Sequence, residues 1–251
     1  MRTIYIMINR KGGVGKSTCC RLFAQYLRDR CGTELTIIDT DENQSVYNCA
    51  KLAAIPKPIF TRDGAPVPAA LDAAKAVICE AVFEHDTDVL IDTAAGGTSD
   101  AIAALIAGTL LPQAGILGFK VQLHSPITCD ALRECAASLS TLTAQLPGAD
   151  FVLWLSPHAG TVTAEMLADT GVHATKLIVL PDFTTPIYVT LWKAVNGYDK
   201  SSPHCFCEYD LAGDPKSWPA VCGRKCNKLD CATVITVRDR CYDAIAQGLA
   251  A

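Results

Sequence analysis

Short apolar runs alternate along this chain with longer segments in which apolar residues return at helical spacing. The runs are rich in β-branched and aliphatic residues. They predict strands at residues 3–9, 34–39, 87–92, 114–121, 150–155 and 176–180. Helical periodicity fills the intervals at 16–30, 67–84, 98–110, 126–145, 161–170 and 185–197. In the first of these, Leu22, Phe23, Tyr26 and Leu27 share one face. Strand and helix in alternation predict an α/β fold, with a mostly parallel central sheet flanked by helices. The proline-rich stretch from Ile55 to Pro68 reads as a loop leading into a helix. After Gly197 the alternation stops. Residues 198–232 are polar and rich in cysteine, and a last helical pattern follows at 233–249. The expected organisation is a main domain over 1–197, with a cysteine-rich segment and final helix over 198–251 packed on it.

Composition narrows the possibilities. The chain has 251 residues, of which 50% are hydrophobic and 19% charged, which excludes a disordered protein. Its formal net charge is −4. Residues 1–51 carry eight basic and five acidic side chains, residues 52–200 eight and fifteen, and residues 201–251 six of each. No basic tail is present, so direct DNA binding finds no support in the charge, although a basic face could still form in three dimensions. The first apolar stretch is too short for a secretory signal, and a cytoplasmic protein is expected. Ala101 to Phe119 lack any charge over nearly a membrane-spanning length. Pro112 and Gln113 interrupt that stretch and three glycines dilute it, so it reads as a buried helix followed by a central strand and not as an integral membrane segment.

The richest chemistry lies in Lys11-Gly12-Gly13-Val14-Gly15-Lys16-Ser17-Thr18, between the first strand and the first helix. Glycines let the backbone approach phosphate oxygens, and successive N–H groups point at them. In such a loop Lys16 reaches the β and γ oxygens and the Ser17 hydroxyl ligates Mg²⁺. The usual G-x-x-x-x-G-K-[ST] pattern fails at its first glycine, where Arg10 stands. With its early lysine, the run resembles the deviant phosphate loop of the ParA/MinD superfamily of P-loop ATPases. The resemblance implies a P-loop NTPase fold, ATP and Mg²⁺ as ligands, and a homodimer formed on ATP in which Lys11 reaches the partner's nucleotide. It also implies nucleotide contacts from Gly12 through Thr18.

Two further motifs follow in the family's order. Leu35 to Ser45 is a strand ending in Asp39-Thr40-Asp41-Glu42-Asn43-Gln44, similar to the ParA-type D-x-D-P-Q segment, with Glu42 and Asn43 where the family has proline. By that resemblance Asp39 lies near Mg²⁺ and Asp41 acts on the attacking water; an acidic loop capping a strand is the alternative. Asp88 to Asp92 is an apolar strand ending in the Walker B aspartate, Asp92, expected to hold Mg²⁺ directly or through water. Gly96-Gly97 after it suit a switch loop. Later matches are looser. Pro181, Asp182 and Phe183 occupy the place where relatives hold adenine, and a purely structural loop fits them equally.

Cys205, Cys207, Cys222, Cys226 and Cys231, with His204, gather soft ligands near the C-terminus. Their spacings, C-x-C and C-x₃-C, permit a Zn²⁺ site, disulfides or free thiols. The final helix repeats Val234, Val237, Cys241, Ile245 and Leu249, and its two arginines are offset by Asp239 and Asp243. That pattern favours core packing over a MinD-like membrane-targeting helix. Three roles suit the resemblance: a nucleotide switch in plasmid or DNA segregation or stability, an accessory ATPase of conjugation or mobile elements that controls a DNA-binding adaptor protein, and a membrane-cycling regulator.

Overall fold

A computed structural model of the chain describes residues 1–49, 52–156, 160–181 and 228–250. Seven strands form one sheet: β1 (Arg2–Met7), β2 (Leu35–Asp39), β3 (Ile55–Pro56), β6 (Asp88–Asp92), β7 (Phe119–Ile127), β8 (Asp150–Leu155) and β9 (Lys176–Val179). Their order is β3-β2-β6-β1-β7-β8-β9, and every adjacent pair is parallel. A separate hairpin joins β4 (Thr61–Arg62) to β5 (Ala65–Pro66).

Period-two alternation in β1 sends Ile4 and Ile6 to one face of the sheet and Tyr5 and Met7 to the other. On the first face lie α2 (Pro68–Phe83), α3 (Gly97–Leu105) and α5 (Leu132–Gln145). On the second lies α1 (Lys16–Cys31), which buries Cys19, Phe23, Tyr26 and Leu27. Helix α1 is bounded by glycines with left-handed backbones, Gly15 at φ 93° and Gly32 at φ 63°, and the Gly32 N–H closes on the Leu27 carbonyl. Within this face Trp154 donates to His124 Nδ1 at 2.9 Å, so His124 Nε2 carries the proton shared with Gln122 Oε1 at 2.8 Å. Burial pushes the His124 pKa down to about 3, which keeps the ring neutral.

After the short α6 (Ala164–Ala168), the last described helix, α7 (Lys228–Ala250), shares that second face. Val237, Cys241, Tyr242 and Ile245 are buried, and the Tyr242 hydroxyl donates to Asp29 Oδ2 at 2.7 Å. Of the apolar repeat read in the sequence, Val237, Cys241 and Ile245 are buried and Leu249 is half-buried. At Gly248 the helix meets β9 so closely that a Cβ would lie 2.4 Å from the Leu177 carbonyl oxygen and 2.7 Å from Ile178 Cγ1. Gly248→Ala is therefore expected to destabilise the chain by about 1–3 kcal/mol, because overpacking must displace backbone. Chemical denaturation measures it, and an unchanged midpoint would refute this packing.

Three expectations need correction. The strand expected at 114–121 begins only at Phe119. The helix continues from α3 through a π turn (Ile106–Leu110) into α4 (Leu111–Leu117), and β7 starts at Phe119. Pro112 follows directly on the π turn, where the regular hydrogen-bond ladder is already interrupted, and Gly118 at φ 69° makes the actual stop. This run, Gly97–Leu117, is long and apolar enough to cross a membrane by length and composition, yet Ile102, Leu105, Ile106 and Leu110 are buried against the sheet. Second, β7 extends to Ile127 and a 3₁₀ turn (Cys129–Ala131) precedes α5, so the helix expected from 126 begins at Leu132. Third, the proline-rich loop contains the β4–β5 hairpin. Asp63 at φ 51° and Gly64 at φ 79° form its two-residue turn, the Asp-Gly pairing that suits a type I′ hairpin. The helix expected at 185–197 lies outside the described residues.

Candidate functional site

Parallel register brings the three motifs to one edge of the sheet. Met7 pairs with Asp92, and Asp92 pairs with Asp39, so the phosphate loop and both aspartates leave the carboxyl ends of adjacent strands. Glycines shape the loop where its backbone turns left-handed, Gly13 at φ 78° and Gly15 at φ 93°. Val14 is buried and anchors the loop in the core, while Gly12 and Gly13 are exposed. Ser17 and Thr18, both half-buried, follow Lys16 in the first turn of α1.

Lys16 is 7% exposed, and its ammonium donates to the Lys11 carbonyl at 3.1 Å across the loop. Burial lowers its pKa, and the charges of Asp92 and Asp41 oppose that shift. Asp92 is fully buried, and neither of its carboxylate oxygens meets hydrogen-bond geometry with a described group. Burial is the main reason its pKa is pushed up to about 8, with Asp39 adding repulsion. The Ser17 hydroxyl and the Lys16 ammonium approach closely enough to counter part of that rise. A buried carboxyl group without a well-formed hydrogen bond to a described group, beside a hydroxyl and a phosphate loop, fits a divalent cation. Ser17 and Asp92 are the residues able to hold Mg²⁺, which takes few protein ligands alongside phosphate oxygens and water. When bound, the ion would neutralise charge on the phosphates.

Asp39, in register beside Asp92, also accepts amides of its own turn. It is fully buried: Oδ1 accepts the Asp41 N–H at 3.0 Å, and Oδ2 accepts those of Val46 and Tyr47 at 2.9 Å each. Burial raises its pKa against these three donors. Asp39 thus folds the turn that displays Asp41. Asp41 Oδ1 accepts the Asn43 N–H at 2.8 Å and Nδ2 at 2.9 Å. Gln44 closes this turn with φ 52°, its N–H on the Asp41 carbonyl.

Lys11 and Arg10 point outward. The Lys11 ammonium sits 2.6 Å from Glu134 Oε2 on α5, and Arg10 Nε lies 3.1 Å from Asp100 Oδ1 on α3. Both pairs are substantially exposed. The arginine that replaces the expected glycine therefore ties the loop to a helix beside it.

Asn9 escaped sequence reasoning. Wholly buried, it accepts the Lys11 N–H on Oδ1 at 2.9 Å and donates Nδ2 to Ser125 Oγ and the Pro126 carbonyl. It fixes the phosphate loop to the end of β7. On the other side, Gly96 N–H donates to the Arg10 carbonyl at 2.9 Å, and Ser99 Oγ donates to the carbonyls of Asn9 and Ala94. The segment after Asp92 is thereby stitched to the loop. An asparagine at a strand end carries no local signal of such a role.

Pro181 follows the end of β9, half-buried, and Asp182 and Phe183 lie outside the described residues. So do His204, Cys205, Cys207, Cys222 and Cys226; Cys231 stands on α7 without a described side chain. Among the described residues no group of His, Cys, Asp or Glu side chains forms a further metal centre, and none of Cys19, Cys20, Cys31, Cys49, Cys79, Cys129, Cys135 and Cys241 is joined in a disulfide to another described residue.

A parallel sheet with a glycine-rich phosphate loop between its central strand and α1, and an aspartate-ended strand beside it, defines a P-loop NTPase fold with ParA/MinD-like motifs. The chain matches no family model. In sequence it is similar to two Escherichia coli proteins called TraL, each 27% identical over about two thirds of this chain and of the relative (167 and 168 residues). Solved structures that superpose on it include a MinC:MinD cell division protein complex from Aquifex aeolicus, with TM-score 0.49, 13% identity, and coverage of 81% of this chain and 87% of the other. A plasmid partition protein from Borrelia burgdorferi gives TM-score 0.47 at 15% identity, covering 78% and 97%. The class follows from the loop and the strand order, not from these loose superpositions.

Proposed function

We propose that the chain is a ParA-like, Mg²⁺-dependent ATPase that dimerises on ATP and works in the cytoplasm as a nucleotide switch in plasmid or DNA segregation or stability. The observation that carries the reading is Asp92: a wholly buried carboxyl group beside Lys16 and Ser17 at the phosphate loop, with no well-formed hydrogen bond to a described group. Such a group is costly in the empty protein and suited to a bound cation. In this reading Lys16 binds the β and γ phosphates, and the backbone from Gly12 to Thr18 encloses them. Asp41, displayed by the Asp39-centred turn with only one oxygen engaged by described groups, positions the water that attacks the γ phosphorus. The bond to the bridging oxygen breaks, and ADP and phosphate leave. Lys11 would exchange Glu134 for the partner's nucleotide in the ATP dimer.

A second reading, control of a DNA-binding adaptor protein in conjugation or mobile-element maintenance, is favoured by the net charge of −4 and the acidic middle of the chain. DNA binding that needs ATP and weakens steeply with salt would favour direct action, whereas ATP-dependent capture of an adaptor without DNA affinity would favour the second.

Phosphate release tests the catalytic assignment. Asp41→Ala is expected to lower turnover by at least about a hundredfold while ATP affinity stays unchanged, the behaviour of a group that acts on the water and not on binding. Normal hydrolysis by that variant would remove Asp41 from its role.

A further inference from the structure

The hairpin between the two carboxylate motifs touches both of them. Beyond β3, amides of alternate residues continue to meet the segment that follows β2: Lys57 N–H donates to the Asp39 carbonyl at 2.8 Å and Ile59 N–H to the Thr40 carbonyl at 3.0 Å. The next amide in that period, Thr61, finds no main-chain carbonyl, because the chain has turned away at Asp41. It donates instead to Glu42 Oε1 at 2.8 Å. The side chain next to Asp41 thus supplies the acceptor that the ladder lacks. The hairpin then closes on itself, Val67 N–H to the Phe60 carbonyl at 2.6 Å. Its far end rests on the start of α3. A Cβ on Gly97 would lie 2.9 Å from the Gly64 carbonyl oxygen and 3.3 Å from Pro66 Cδ, a separation that only glycine permits.

The hairpin therefore bridges the turn that carries Asp41 and the loop that follows Asp92. That loop is itself bonded to the phosphate loop through Gly96 and Ser99. A change at the phosphates that moves Gly96 and Gly97 has a short mechanical route to Asp41, through Pro66, Gly64 and the Thr61–Glu42 hydrogen bond.

We propose that Glu42 is a positioning residue: its hydrogen bond to Thr61 couples the hairpin to the Asp41 turn, so that the loop after Asp92 and the turn carrying Asp41 move together. The inference rests on Asp41 acting in hydrolysis as described above. Glu42 touches no reacting atom. Its acceptor oxygen, and not its charge, does the coupling, so a glutamine retains the function and an alanine loses it.

The test compares Glu42→Ala, Glu42→Gln and Gly97→Ala with the wild-type chain in Mg²⁺ and ATP. Glu42 is exposed, so its variants fold. Glu42→Ala is expected to lower kcat about fivefold with KM unchanged, the scale of one exposed hydrogen bond applied to the transition state. Glu42→Gln is expected to turn over like the wild type. Gly97→Ala, which pushes on the other end of the hairpin, is expected to lower kcat, and the double variant to lose less than the product of the two losses. Hydrogen exchange over residues 39–48 supplies a readout independent of turnover and is expected to speed up in Glu42→Ala and in Gly97→Ala. Turnover by Glu42→Ala equal to the wild type, a Glu42→Gln variant as slow as the alanine, or unchanged exchange in both variants would overturn the coupling. A wild-type chain without Mg²⁺-dependent hydrolysis would instead overturn the proposed function, and the exchange experiment would still decide whether the hairpin couples the two loops.

Discussion

Lys16→Ala is expected to lose nucleotide binding, by at least about a hundredfold in affinity for ATP, since charge-assisted bonds to phosphate are among the strongest polar contacts in proteins. Its setting explains the size of the effect. The ammonium is buried, is aimed across the loop at the Lys11 carbonyl, and faces the charges of Asp92 and Asp41. No other described cation in the loop is free to replace it, because Arg10 and Lys11 are turned outward onto Asp100 and Glu134. Alanine is a good helix former at the first position of α1, so the fold survives the change. Titration with a fluorescent ATP analogue measures the loss. Binding within threefold of the wild type would contradict it.

Asp92→Asn is expected to do two opposite things: stabilise the empty chain at neutral pH and abolish stabilisation by Mg²⁺ with ATP. The sign follows from linkage. The folded-state pKa of Asp92, about 8, lies above its ordinary value of 3.8. The favourable contribution of its protonated form is therefore complete below about pH 4 and is lost as pH rises towards 8, at about 1.4 kcal/mol per pH unit within that window. Asparagine has the same shape and no proton to lose, so the variant's stability is flatter over this range. At pH 7 its melting temperature is expected to exceed that of the empty wild-type chain by several degrees. The wild type recovers the deficit when a cation meets the carboxylate, and the variant does not. Thermal melts between pH 5 and 8, with and without Mg²⁺ and ATP, check both effects. A lower melting temperature for the variant at pH 7 would show that the buried carboxylate is not a burden in the empty protein.

How much of this could be read in the sequence differs from element to element. β1, β2, β6 and β8 were legible because each is an apolar run closed by a charged or turn residue, and α7 because its buried face repeats at helical spacing. Nothing in residues 101–119 separates helix from strand, so the strand expected from 114 begins only at Phe119. No charge marks a boundary there, and Pro112, which reads as an interruption, follows directly on the π turn, where the regular ladder is already interrupted. The Asp63-Gly64 hairpin was visible as a dipeptide but was obscured by the surrounding prolines. In the site, the residues named from motifs did converge, since parallel register carries Met7, Asp39 and Asp92 to one edge. Asn9 and Glu42 were not legible. Each acts on a segment distant in sequence, Asn9 on the end of β7 and Glu42 on the hairpin, and neither belongs to a spacing pattern.

In the proposed cycle, ATP bound at the phosphate loop closes two copies of the chain around it, and hydrolysis at Asp41 releases them. Sedimentation of the Asp41→Ala variant, which is expected to hold ATP without cleaving it, tests this most directly. The expected result is a dimer of twice 26.7 kDa in Mg²⁺ and ATP, and a monomer in Mg²⁺ and ADP. The same sedimentation in both nucleotides would contradict it.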